Sequence, residues 1–390
     1  DENGNKTYDD NGASIYEYTY DLYDREIQIK RFNKEHRPIV ANDDYFQKVY
    51  EYDSLGKITF EASYYPGKVL RYSDTQWGAT KFVHEGDSIV REYNTDAYGH
   101  TIQNENHIAI VKKRFDKNGL VVSESYLDSE GKFAKADDGV VEYRYRYDAQ
   151  GKQTETACYD SIGKLIAFEK DVAIIRWEYD QNGNKAKTTY FNSQDQLAYA
   201  VDSITYNIYK YNNKGGLLER SNYDINMKPA LTDGVFKTRF LLNRAGLDSV
   251  KYEYNANGKL KSGVAITRFY YNKYNNLTRT EYFNSLNQRT KDPEGISAIN
   301  TIYNKRQYIT GYEYLDEQNR YTNNSSGISI LTWVLDELGH TLSHSYLDKN
   351  REPVIGPSGY YKIEYEWADM GETSKVKRFD KDLSLIEDEY

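Results

Sequence analysis

A single cysteine, Cys158, leaves the chain no intrachain disulfide to brace it, and its strand-like setting reads as half-buried packing. No apolar run approaches the ~18 residues of a membrane-spanning helix. No Lys/Arg-rich run is present either. The net charge is -9 with both signs interspersed, which argues against nucleic acid and anionic membrane as partners. Helical periodicity is missing throughout. So are the signatures of catalysis: there is no Ser/His/Asp or Cys/His grouping and no Gly-rich phosphate loop behind a strand. His340 and His344 share a strand face but stand ~13 Å apart along it, too far to share a metal. Asp180-Gln181-Asn182-Gly183-Asn184 and the opening Asp1-Glu2-Asn3-Gly4-Asn5 begin like calcium loops, yet their twelfth positions are Phe191 and Gly12 where Glu is needed. Asp43-Asp44 and Asp137-Asp138 read as solvated loop charge. The expectation is no catalytic residue, no cofactor and no metal: the protein is not an enzyme.

What is present points to order. Low hydropathy and 28% charged residues are typical of disordered chains, but 41 Tyr, 13 Phe and 4 Trp are not. Tyr outnumbers Phe, which suits a surface half packed and half wet, where the hydroxyl finds water or a partner.

A 32-residue spacing organises these aromatics. An aromatic or Leu precedes Asp or Asn at Tyr52-Asp53, Phe115-Asp116, Tyr147-Asp148, Tyr179-Asp180, Tyr211-Asn212, Leu242-Asn243, Tyr271-Asn272, Tyr303-Asn304 and Leu335-Asp336. From Asp116 the steps are 32, 32, 32, 31, 29, 32 and 32. A second series of Asp or Asn follows 12 residues behind, from Asp128 to Asp380. A Gly landmark recurs at Gly139, Gly234, Gly263, Gly295, Gly327 and Gly359. Asp or Asn at the first turn position bonds backbone two residues on, and a fourth-position Gly supplies positive φ. Asp53, Asp116, Asp148, Asp180 and Asp336, with Gly119, Gly151, Gly183 and Gly339, are therefore structural turn residues. Asn275, Asn287 and Asn319 stand in for Gly.

Alternation fills the spans between turns. In VEYRYRYD, Tyr143, Tyr145 and Tyr147 share one face, with Arg144 and Arg146 on the other. Equivalent residues stack into two ladders. One runs through Tyr147, Tyr179, Tyr211, Leu242, Tyr271, Tyr303, Leu335 and Trp367, the other through Leu127, Tyr159, Phe191, Tyr223, Tyr254, Phe283, Leu315, Leu347 and Phe379. The Gly landmark reads as a kink or bulge between a short and a long strand running the same way. The predicted architecture is all-β: tandem ~32-residue β-hairpin repeats forming an elongated, twisted antiparallel sheet or a solenoid-like, spiral array. One array of about twelve units fills residues 1–390, irregular over 1–100 and regular over 101–390. The repeat breaks at residues 65 to 95, where Phe82-Val83 replaces Tyr-Asp and Pro66 the second Asp, and at the 29-residue step.

YEYDSLGK (Tyr50 to Lys57), YRYDAQGK (Tyr145 to Lys152), WEYDQNGN (Trp177 to Asn184) and YEYNANGK (Tyr252 to Lys259) resemble the core of bacterial Rhs/YD repeats. The period here is longer, and the Arg-Leu after the turn Gly is missing. The resemblance implies hairpin strips that spiral into hollow shells, serving as cell-surface or toxin-encapsulating scaffolds. A fainter likeness is to aromatic cell-wall and glucan-binding repeats.

The functional expectation is a non-catalytic scaffold of the bacterial cell surface or the extracellular space, offering a Tyr-rich surface to a protein or a glycan. Tyr143, Tyr145, Trp177, Tyr209, Tyr270 and Trp333 are the candidate binding surface, since flat rings stack on sugars. The alternatives are a shell segment of an Rhs/YD-type toxin and a carbohydrate-binding module. The start at Asp1 within repeat-like sequence suggests a processed or excised chain.

Overall fold

The computed structural model describes residues 13–40, 45–70, 78–96, 98–336, 340–367 and 373–389. They contain 26 strands, paired antiparallel, and two three-residue 3-10 turns, Pro66–Lys68 and Val201–Ser203. None of their helices is long and apolar enough to cross a membrane. The chain divides into two compact units, one mainly of residues before Tyr179 and one mainly of residues from Asp202 onward. Each is a meander of the same hairpin, as the alternation predicts. In the first unit, outbound strand Glu142–Tyr147 pairs with return strand Gln153–Tyr159. In the second, Ile330–Leu335 pairs with Thr341–Leu347.

The tip chemistry dictates the hairpin. At Asp116 one carboxylate oxygen accepts the backbone N–H groups of Asn118 (2.8 Å) and Leu120 (2.9 Å). Gly119 closes the turn at φ 79°, and the register slips between Arg114 and Phe115, which is the bulge such a turn demands. Asp53, Asp148 and Asp180 bond two and four residues on in the same way. Asp336 accepts the N–H of His340 at 2.9 Å. Gly151, Gly183, Asn275, Asn287 and Asn319 all have positive φ. Gly339 lies outside the described residues, as do Asp43-Asp44 and Asp1 to Gly12. Met227, Gln307 and Arg351 also sit at positive φ in this turn position, which their residue types did not announce.

The Gly landmark is an excursion within one strand. Leu127 bridges Phe133 antiparallel, and Ala134 N–H donates to Tyr126 O. The chain then loops through Gly139 and rejoins the same ladder, where Tyr126 N–H donates to Val141 O. The short segment and the outbound strand thus run the same way, as expected. Asp292 and Asn324 build this loop with the same side-chain turn.

The excursion also absorbs both shortened steps of the regular array. Residues 134 and 141 flank a normal one, and so do 290 and 297. In the 31-residue step the flanking residues are 230 and 236, one closer, and in the 29-residue step 261 and 265, three closer. The deletions leave the strands and both tips intact.

The hairpin expected at Phe82-Val83 turns later. Ala79–Glu85 pairs with Ile89–Thr95 without a bulge, and Gly86 (φ 66°) sits at the tip. Pro66 opens a 3-10 turn that folds Val69–Leu70 back on Tyr64 and Tyr65.

Among the described residues the buried apolar side chains form small clusters near the second tip rather than one thick core: Ala109, Ile110 and Leu127; Ala157, Ala173 and Ile174; Ala265, Ile266 and Phe283. These lie on the face of the charged residues, so both faces of the strands carry packed side chains. Arg144 lies 3.9 Å over the Tyr159 ring, Arg176 4.3 Å over Phe191, and Arg268 4.4 Å over Phe283. Glu155, 7% exposed, is held by Arg176 at 2.6 Å and Arg146 at 3.3 Å. Long basic side chains lay their stems on apolar surface and keep the charge paired.

Candidate functional site

The first ladder is where adjacent hairpins are joined. Within a hairpin the strands pair along their length, but the return strand usually meets the next outbound strand at only three residue pairs; Ile89–Thr95 and Ile110–Phe115, with five, are the exception. Gly311, Tyr312 and Glu313 face Thr332, Leu331 and Ile330. Neighbouring hairpins therefore part toward the first tip. At five described hairpins the last outbound ring sits in that wedge and donates to the carbonyl of the first residue of the preceding return strand. Tyr52 Oη donates to Glu26 O (2.7 Å), Tyr147 to Val121 O (2.7 Å), Tyr271 to Asp248 O (2.9 Å) and Tyr303 to Leu277 O (3.0 Å). Trp367 Nε1 does the same to Thr341 O at 2.8 Å. Tyr and Trp carry a donor at the ring's far end for this bond; Phe115, at the same strand position, has none, and there the adjacent hairpins pair over five residues instead.

The candidate surface residues divide. Tyr143 and Tyr145 share a strand face with Tyr147, and both are half-buried. Burial pushes both phenols above the usual tyrosine range; the bond from Tyr143 Oη to Asp138 adds to the shift of Tyr143. Tyr126 packs edge-on against Tyr143 at 6.1 Å. Tyr143 is thus tied into packing, and Asp138 is a partner rather than a solvated charge, while Tyr145 holds the fourth position of its strand. Trp177, Tyr209 and Trp333 occupy the same fourth strand position, half-buried in their own hairpins. Tyr270 is misplaced in this set. It is the fifth residue of Ile266–Tyr271, so it faces the opposite way, 41% exposed, with its hydroxyl on Glu281 at 2.8 Å. Phe269 holds the fourth position in this strand, and the next residue along a strand faces the other way.

Asp180, the calcium-loop candidate, spends its oxygens on the N–H groups of Asn182 and Asn184 and on the Asn184 amide. Among the described residues no group of three His, Cys, Asp or Glu is placed to hold a metal. His340 bonds Asp336 at 2.8 Å and stacks on Trp367 at 4.8 Å, while His344 packs on Tyr346 and Tyr365. Cys158 is fully buried, and that burial pushes its thiol up to about 12.

In the second unit an open depression of about 480 Å³ lies between hairpins, lined by Tyr308, Ile309, Tyr312, Trp333, Leu335 and Thr341. Tyr312 meets Trp333 edge-on at 5.6 Å. Sequence reasoning named Trp333 and, in the ladder, Leu335, but not the other lining residues.

No family model matches the chain, and no curated protein matches its sequence. Among solved structures it is similar to a crystal structure of TcdB2-TccC3-TEV, at 12% identity and a TM-score of 0.46, covering 95% of this chain and 19% of that one. It is similar to a Photorhabdus luminescens Tc holotoxin pore at 11% identity and a TM-score of 0.36, covering 96% and 17%. A porin-like protein from Bacteroides uniformis follows at 10% and 0.20, covering 60% and 87%. The chain spans about a fifth of the length of the first of these. Neither a family nor a function follows from these values.

Proposed function

We propose that this chain is a non-catalytic scaffold, working outside the cell or at the cell envelope, that presents its fourth-position aromatics to a protein or glycan. The observation that carries the reading is the recurring staple. The conspicuous polar groups of the repeat — turn carboxylates and ladder hydroxyls — are engaged in holding hairpins together, so they are structural rather than chemical. What remains for recognition is the row position of Trp177, Tyr209 and Trp333, rings that are half-buried and so pre-organised at low entropic cost.

A glycan array and a peptide array probed with the intact chain test this. Retention on either that falls at least ~10-fold in a Trp177→Ala/Tyr209→Ala/Trp333→Ala variant with unchanged circular dichroism supports the reading; such a fold-change is about 1.4 kcal/mol. No retention on either array overturns the binding half of it. The shell-segment reading is favoured by the Tyr-Asp tip motif shared with Rhs/YD repeats. It predicts that a longer chain containing this segment protects a fused polypeptide from protease, and ready digestion of that polypeptide ends it.

A further inference from the structure

The ladder has two described steps at which the ring is replaced by Leu, and they differ. Beneath Leu242 stands Gly216, where a Cβ would come within 2.4 Å of Leu242 Cδ1. Leu242 therefore settles into room that any other residue would fill. Leu335 has no such accommodation. It is shorter than Tyr and carries no donor, so it neither fills the wedge nor reaches the carbonyl of Ile309, the residue 26 positions back that corresponds to Leu277 in the Tyr303 staple. The depression of about 480 Å³ stands at this step, with Ile309 and Leu335 in its lining and Trp333 and Tyr312 beside them. Its volume falls within the ~300–1,000 Å³ of small-ligand sites, and apolar walls with few polar groups are what such sites share.

We propose that the Leu335 wedge binds a small para-substituted phenol, with the ring where the ladder ring lies in other repeats and the hydroxyl donating to Ile309 O. The fold itself names the occupant. At Tyr52, Tyr147, Tyr271 and Tyr303 the same kind of wedge holds a phenol attached to its own chain. Leu335 leaves the place open to one supplied from outside. A sugar suits it less, since its several hydroxyls would find mainly apolar wall. The inference deepens the surface reading at one repeat and rests on it only in that Trp333 belongs to both.

The probe is p-cresol, the tyrosine side chain cut at Cβ. It is titrated into the full chain while the ¹⁵N-indole signal of Trp333 is followed, assigned by its loss in Trp333→Phe. A saturable shift is expected, with p-xylene binding about fivefold more weakly for want of the hydroxyl. Leu335→Tyr, which refills the wedge from within, and Leu335→Phe, which fills it without a donor, should each weaken p-cresol binding at least ~10-fold. Leu335→Tyr should also raise the thermal midpoint. No saturable shift, equal binding of p-xylene, or undiminished binding in both refilled variants overturns the proposal. The arrays report on Trp177 and Tyr209 as well, so this site can fail while the surface reading stands, and the reverse.

Discussion

Removing a single ladder hydroxyl should cost measurable stability, and the cost should add from hairpin to hairpin. Tyr303→Phe deletes the 3.0 Å bond to Leu277 O, and Tyr271→Phe the 2.9 Å bond to Asp248 O. A net intramolecular hydrogen bond is worth about 1 kcal/mol, and an acceptor left facing a packed ring recovers little from water. The two bonds share neither donor nor acceptor, so the double variant should lose about 2 kcal/mol. In a repeat array stability is close to a sum of unit and interface terms, and these bonds belong to interfaces. Urea unfolding of the intact chain, followed by circular dichroism, measures the loss as a lower midpoint at unchanged slope. Tyr274, 56% exposed at a tip, is the control: Tyr274→Phe should stay within about 0.5 kcal/mol of the parent. If the double variant also stays within that margin, or if Tyr274→Phe costs as much, the hydroxyls are not staples and the preference for Tyr needs another cause.

Stability should fall with acid in a way the turn carboxylates set. Backbone N–H groups, Lys57 at Asp53, Leu120 at Asp116 and Glu352 at Asp348, hold these carboxyls below their ordinary value. A lowered folded pKa stabilises fully above the unfolded pKa of about 4 and loses that stability as pH drops through the folded value. The urea midpoint should therefore decline below pH ~4, and the Asp53→Asn/Asp116→Asn/Asp348→Asn variant should decline less steeply; an unchanged slope contradicts the assignment. Met227→Gly should stabilise by about 1 kcal/mol, because Met227 holds φ 59° while 49% exposed and has little packing to lose; a thermal scan showing loss refutes this. Cys158, buried with its thiol pushed up to about 12, should resist an aromatic disulfide reagent in the native protein and react once unfolded.

Much of this fold was legible because its signals are local. Asp at the first turn position and Gly at the fourth act within five residues, so Asp116 and Gly119 could be assigned from the chain alone. The period-2 run from Tyr143 to Tyr147 likewise fixed a face. What stayed hidden is non-local or depends on counting. The acceptor of Tyr147 lies 26 residues back, exposed only because hairpins part toward their tips. Tyr270 joined the candidate surface by residue type, while the fourth position of its strand belongs to Phe269. Arg144 reads as a solvent residue by type, yet it covers Tyr159. Gln307 and Arg351 adopt a glycine conformation that the surrounding turn imposes on them.

The excursion has a use beyond closing the ladder. Because a residue gained or lost there never reaches a strand, it behaves as an expansion joint. Copies of the repeat can drift in length while keeping the parity of every face, whereas a slip within a strand would turn its hairpin inside out. Foreign peptides grafted between Ala136 and Val140, or between Asp292 and Ile296, should therefore be carried without disturbing the hairpins on either side. The loops that matter least to the architecture are those most open to acquiring new specificities.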